Sequence, residues 1–420
     1  MSKKVFLIVF AVLVAVFVAS IIFFEIDPKN TNVDFSPANA QNETDKTIRF
    51  DENGKLKILH IADTHLNYDK HFDASLWVVA EACDVEKPDL VVLTGDNTHP
   101  HDDPEKTKEL INALMNIFES RKIPVAVTFG NHDSEKGPMT RKDIMDYYNT
   151  FSCVISTDGK TNFKNCATFN IPVLASDSDK TKFNLWVFDS GDYDEDEPRH
   201  YDRVRTEQIE WYKKVSAKLK KENGGKTVNS VVFQHIIVPE IYDVLKKVDS
   251  KKPYAVPRIY NEEEEFYMFD PDQVNYGKLN EKPCPGYYND GQFDALVETG
   301  DVLAMFTGHD HTNAFGVRNQ NIDIYTSPMT RYKGVAYTTQ YGYRVVEIDE
   351  NDTSKYETRV ERLYDIFDFG YIKTAKDNGD KYSTRIAFEL ALKGKAQEIA
   401  MKLLHFVVEL FTGRTVVYPH

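Results

Sequence analysis

The sequence predicts an α/β fold built on parallel strands, and three observations predict it. Short apolar runs at Lys57–Ala62, Leu90–Thr94 and Val125–Phe129 have the composition of strands buried on both faces. Helical patterns at 73–86 and 104–120 lie between them. Each run also leads straight into a block rich in Asp, Asn or His. Strand, helix, strand, helix, strand is the order of right-handed crossovers, which place a ligand site outside the carboxyl ends of the strands.

The second helical pattern is the clearer one. Asp103 can cap it, Pro104 suits its first turn, and Leu110, Ile111, Leu114, Ile117 and Phe118 share one face. Further strands are expected at 167–174, 183–189, 228–234, 302–307, 322–326 and 343–349, with a long helix over 202–222 that carries Ile209, Tyr212, Val215 and Leu219 on one side. Residues 250–290 are rich in Pro, Tyr and acids without clear period, and read as a long surface insertion bordering the site. Beyond 349 a strand is expected near 356–363 and a helix over 386–411. Lys402, His405 and Glu409 argue against that helix spanning a bilayer, so its apolar stripe is expected to pack on the main body, with an interfacial membrane contact as the alternative.

Composition narrows the class. The chain has 420 residues, 41% of them hydrophobic, enough for a sizeable core, and a net charge of −15 that argues against nucleic acid as a partner. Residues 5–24 are apolar apart from Ser20 and as a helix would rise about 30 Å, the thickness of a bilayer's hydrocarbon core. Lys3 and Lys4 before this stretch, with Glu25, Asp27 and Lys29 after it, put the N-terminus in the cytoplasm and the remainder in a lumen or outside the cell. A cleaved signal peptide is the competing reading, but its apolar region is normally shorter, about 7–15 residues, and Ala38-Asn39-Ala40 lies far downstream. Residues 25–45 read as a polar linker. In that topology Asn42 and Asn351, each two before a threonine, are glycan acceptors. Four cysteines are too few for a disulfide framework; a Cys153–Cys166 bridge and four buried thiols are the two readings.

The chemistry lies in five blocks: Asp63-Thr-His65, Gly95-Asp96-Asn97, Gly130-Asn131-His132-Asp133, Gln234-His235 and Gly308-His309-Asp310-His311. Asp63 and His65, two apart in extended chain, project to the same side and can hold one cation together. A carboxylate such as Asp96 can bridge two cations, Asn131 offers a neutral oxygen, and imidazoles favour zinc, iron or manganese over calcium. One histidine at a strand end is usually structural. Five of the chain's twelve in this ordered set point to a two-metal hydrolytic site.

The complete set resembles the signature of the calcineurin-like metallophosphoesterases. It is most similar to their fungal and plant purple-acid-phosphatase-like branch through Ile58–Asp63, Val91–Asn97, Phe188–Gly191, His235–Glu240 and Asn289–Phe293. The resemblance covers roughly 46–349, which sets the expected domains: 1–24 anchor, 25–45 linker, 46–349 catalytic, 350–420 a C-terminal extension. It implies a four-layer α/β sandwich of two mixed sheets flanked by helices. It further implies one metal held by Asp63, His65, Asp96 and His311, and a second by Asp96, Asn131, His235 and His309, with a hydroxide between them attacking phosphorus. His132 is expected to protonate the leaving alkoxide or contact the phosphate, oriented by Asp133 or a nearby acid.

Purple members owe their colour to an iron-bound tyrosine three positions after the bridging acid. Here that position is His99, so His65 is expected to take the place and the enzyme to be colourless; His99 and His101 read as a solvated loop, with a place on the pocket wall as the alternative. The implied reaction is hydrolysis of a phosphoric monoester, on phosphoprotein or a small phosphorylated substrate. A phosphodiesterase and a non-catalytic tethered binding protein are the alternatives.

Overall fold

The computed structural model describes residues 34–36, 44–135, 137–155, 163–249, 252, 255–260, 263–273, 275–334 and 338–412. The expected anchor at 5–24 and most of the linker lie outside these. Among the described residues no helix is long and apolar enough to cross a membrane.

The expected alternation is present: β1 (Lys55–Ile61), α1 (Phe72–Glu86), β2 (Leu90–Thr94), α2 (Pro104–Glu119) and β3 (Val125–Thr128). Asp103 caps α2 by accepting from the Glu105 amide at 3.0 Å. There follow α3 (Arg141–Tyr148), β4 (Phe169–Leu174), β5 (Thr181–Phe188), α4 (Thr206–Glu222) and β6 (Ser230–Gln234). Next come β7 (Leu245–Lys247), β8 (Val256–Tyr260), β9 (Glu263–Phe269), β10 (Asn275–Lys278), α5 (Gln292–Thr299) and β11 (Val302–Thr307). The chain closes with β12 (Ala314–Asn319), β13 (Ile322–Thr326), β14 (Gly342–Asp349), β15 (Glu357–Arg362), α6 (Leu363–Ile366), α7 (Phe369–Asp377) and α8 (Lys381–Thr412).

Two mixed sheets form, β15-β14-β1-β2-β3 and β10-β12-β13-β11-β6-β5-β4. Side-chain alternation decides how they pack. Leu56, Ile58, Leu90 and Val92 meet Val231, Phe233, Ala304 and Phe306 in one apolar layer between the sheets. Leu59, Ile61, Val91 and Leu93 face the other way, onto α1 and α2, while Val232 and Met305 face α4 and α5. The result is the four-layer α/β sandwich, and every central strand is covered on both sides, as its uninterrupted apolar run requires.

Two readings are corrected. Residues 250–290 are no irregular insertion: β7, β9 and β8 make a small antiparallel sheet, and β10 pairs with β12 at the edge of the larger sheet. Acids at Glu263, Glu264 and Glu265 hid β9, because an exposed strand gains its stability from pairing with β7 and β8, not from burial. All four cysteines are free, Cys83 and Cys153 buried, so there is no Cys153–Cys166 bridge. The C-terminal helix α8 packs on α1: Trp77 donates its indole N–H to Ser383 Oγ at 2.8 Å, and Ile386, Ala387 and Leu390 join the core.

Candidate metal centre

The five blocks follow the carboxyl ends of β1, β2, β3, β6 and β11, and parallel pairing brings those ends together. Backbone bonds stitch the loops: Asp63 N–H to Gly95 O at 3.1 Å, His65 N–H to Asp96 O at 2.8 Å, and Gly308 N–H to His235 O at 3.1 Å. The approach is close enough to demand glycine. A Cβ at Gly95, whose φ is +103°, would lie 2.1 Å from Gly130 N, and one at Gly130 would lie 2.2 Å from Asp96 Oδ1.

Two ligand groups result. Asp63, His65, Asp96 and His311 place one donor atom each within 4.8 Å of the others, and so do Asp96, His235 and His309. Asp96 belongs to both. Its Oδ2 lies 3.5 Å from His65 Nε2 and 3.3 Å from His235 Nε2, and Asp63 Oδ1 lies 3.5 Å from His311 Nε2. Asn131 stands beside them, its amide donating to Tyr193 Oη at 3.3 Å.

These residues fit a pair of cations, and the test is what each polar atom lacks. Asp63 Oδ2 accepts from the His309 amide and Asp96 Oδ1 from the His132 amide, at 3.0 and 2.7 Å. His235 Nδ1–H donates to Thr94 O at 3.0 Å. The opposite atoms, Asp63 Oδ1, Asp96 Oδ2, Asn131 Oδ1, His235 Nε2 and His309 Nε2, are buried with no hydrogen-bond partner. Buried polar atoms are normally satisfied, and five exceptions at one spot, those of Asp63, Asp96, Asn131 and His235 each turned there by a bond on the far side, are the pattern of ligands held by an outer shell. His65 Nε2 and His311 Nε2 also face each other at 2.9 Å, an approach that a shared cation or proton must relieve.

Electrostatics agree. Burial pushes the pKa of His309 down to about 3, leaving a neutral imidazole. Burial acts the same way on His235, but the Asp96 carboxylate beside it outweighs that and holds its pKa up at about 9. A proton there answers the negative charge that a cation would otherwise answer. The backbone is strained as well: Asp63, His65, Asp96 and His309 have φ of 56°, 43°, 49° and 72°, a region that side chains other than glycine enter at a cost.

The remaining expected residues take different places. Asp133 does not orient His132. Its buried carboxylate accepts from the amides of Asp96 and Gly130 at 2.7 Å each, and of Asn97 and Thr98 at 2.9 and 3.2 Å, tying the β2 loop to the β3 loop. The acid that reaches His132 is Glu135, whose Oε2 lies 2.6 Å from His132 Nδ1. His99 and His101 are not a solvated loop: with Tyr68, Asp69, His132 and Glu135 they line a cavity of about 550 Å³ beside the centre. His99 Nε2 lies 2.9 Å from His65 Nδ1, so it backs His65 instead of joining either ligand group.

Sequence reading also missed residues that hold the site. Arg331 donates to His65 O at 2.8 Å and pairs with Asp69. Arg141 donates to Gly130 O at 2.9 Å and pairs with Asp189 of the Phe188–Gly191 block. Neither follows a readable strand end, and only the tertiary fold reveals them. Behind the centre, the buried His60 lies 2.7 Å from Thr94 Oγ1 and 2.9 Å from Ser327 Oγ.

Among known proteins, the chain is 29% identical over 310 residues to an Arabidopsis thaliana protein named probable inactive purple acid phosphatase 29, spanning 66% of this chain and 72% of that one. It is 25% identical over 295 residues to the Saccharomyces cerevisiae phosphatase DCR2, spanning 64% of this chain and 46% of that protein. A solved dimetal phosphatase from Danio rerio aligns with 73% of this chain and 98% of its own at 11% identity, with a TM-score of 0.45. The model of the family described as calcineurin-like phosphoesterase matches residues 56–313, more than half of the chain, and the protein belongs to that family.

Proposed function

We propose that the protein hydrolyses phosphoric monoesters with a pair of metal ions held by Asp63, His65, Asp96 and His311 and by Asp96, Asn131, His235 and His309. The observation that carries this reading is the convergence of five unpartnered buried ligand atoms on two groups that share Asp96. Cations bound there lower the pKa of water toward neutrality and neutralise charge on a phosphoryl group. The chain's own part is to aim the ligands and to move a proton. Glu135 accepts from His132 Nδ1 and fixes that ring, whose Nε2 then gives its proton to the departing alkoxide. Asp133 keeps the Asp96 and Asn131 loops in register without touching substrate.

The Arabidopsis relative is named inactive; what supports activity here is that Asp63, His65, Asp96, His235, His309 and His311 fall into two groups that could each hold a metal ion. Metal analysis of the purified full chain together with phosphate release from 4-nitrophenyl phosphate tests the reading. Two equivalents of iron, zinc or manganese and turnover on the monoester are expected, with no visible charge-transfer band; a metal-loaded chain without turnover would instead make it a binding protein. One observation favours the diester alternative. The cavity lined by His132 has a volume of about 550 Å³, large enough for a second substituent, and faster turnover of bis(4-nitrophenyl) phosphate would select it.

The apolar run at 5–24 supports a membrane anchor with the catalytic part lumenal or extracellular. Resistance to alkaline carbonate extraction and protease protection in sealed microsomes are the expected results.

A further inference from the structure

Residues 34–36 are not slack tether. Asn116 Nδ2 donates to Asp34 O and to Ser36 O, both at 3.0 Å, and Asn112 Nδ2 donates to Phe35 O at 3.0 Å. The two asparagines sit one turn apart on one face of α2 and read three consecutive carbonyls. Asn112 is 3% exposed, and its Oδ1 accepts from Tyr147 Oη at 2.7 Å, so without this segment its buried amide would lose its partner. The clip is therefore built into the core of the helix.

Its side chain faces the site. The Phe35 ring stacks on Phe72 and on Tyr68, with centroids 5.6 and 6.4 Å apart and planes within 7° and 23°. Tyr68 lies three residues after His65 and is fixed at its other end by donating to Glu109 Oε2 at 2.6 Å. It is 45% exposed and forms part of the cavity wall beside His99, His132 and Glu135. The two carboxylates in that wall are already engaged, Asp69 by Arg331 and Glu135 by His132, and Lys106 Nζ stands 6.0 Å from the Tyr68 ring centroid.

We infer that Tyr68, held by the Phe35 clip, is the platform on which the leaving group of the ester lies, and that the protein prefers flat, aromatic leaving groups over small aliphatic ones. A ring stacks favourably on such a face, and an alkyl stub would leave the platform unused. The assignment rests on the metal-dependent phosphoesterase reading, but its test does not need turnover.

The experiment measures binding of phenylphosphonate and methylphosphonate, which cannot be hydrolysed, to the full chain loaded with zinc. It compares wild type with Phe35→Ala and with Asn116→Ala, a partly exposed change on the outside of α2 that leaves the core intact. Wild type should bind phenylphosphonate at least about fivefold more tightly than methylphosphonate. Both variants should lose most of that ratio while their affinity for methylphosphonate and their zinc content stay within about twofold. Equal affinities in wild type, an unchanged ratio in both variants, or parallel loss of both ligands would each overturn the inference. If wild type shows the ratio yet releases no phosphate from 4-nitrophenyl phosphate, the hydrolase reading falls and the platform stands.

Discussion

The main-chain amide of His132 donates to Asp96 Oδ1 over 2.7 Å, although the two residues belong to different strand ends. That bond spends one carboxylate oxygen on the fold and turns the other toward His65 and His235. Asp96→Asn keeps the shape and removes the charge both cations would share. Metal content should fall below one equivalent. Activity should fall by more than the roughly 10–100-fold typical of losing an outer-shell partner, as read by elemental analysis and phosphate release.

Gly130→Ala tests the same junction from the backbone. The added methyl would meet Asp96 Oδ1 at 2.2 Å and Asp96 N at 2.6 Å, so the carboxylate must move. The variant should retain its far-ultraviolet dichroism, because β3 ends before Gly130, yet bind metal at least about 10-fold more weakly.

His132 and Glu135 should separate in size of effect. His132→Ala removes the proposed proton donor and should lower kcat by about 10²–10⁴-fold with metal content unchanged. Glu135→Gln keeps a hydrogen-bond acceptor but not the charge, and should cost less, about 10-fold. Equal kcat in His132→Ala and wild type would remove His132 from the reaction.

His60 gives a pH dependence that needs no metal. Burial pushes its pKa from 6.5 down to about 3, so the folded protein keeps the ring neutral while the unfolded chain protonates it. The unfolded state then binds more protons below pH 6.5, and stability falls as pH falls through that window. Between pH 6.5 and 5 the loss is about 2 kcal/mol. Urea unfolding of wild type and His60→Gln should show a gap between the two that narrows by that amount on acidification.

Strands buried on both faces were legible because an uninterrupted run such as Leu90–Thr94 has few other uses. The candidate ligand blocks were legible because each follows such a run. Strands β8, β9 and β10 were not: their polar faces carry no period, and they exist through pairing, β9 between β7 and β8 and β10 beside β12. The role of Asp133 was hidden for a different reason. A carboxylate that gathers four amides and one that orients an imidazole look the same in a row of letters, and the choice of Glu135 depends on how the chain turns after His132. Arg331 acts on the carbonyl of His65, far away in sequence, and Arg141 reaches back across a turn and its helix start to that of Gly130, and no local pattern marks either service.

Four of the seven non-glycine residues with positive φ among the described positions are Asp63, His65, Asp96 and His309. At each of them glycine would relieve backbone strain of about 1–3 kcal/mol. A lineage released from the need for turnover would therefore gain robustness by discarding these side chains, and drift toward loss of the metals would run downhill. Their joint retention is a standing expense that folding alone gives no reason to bear.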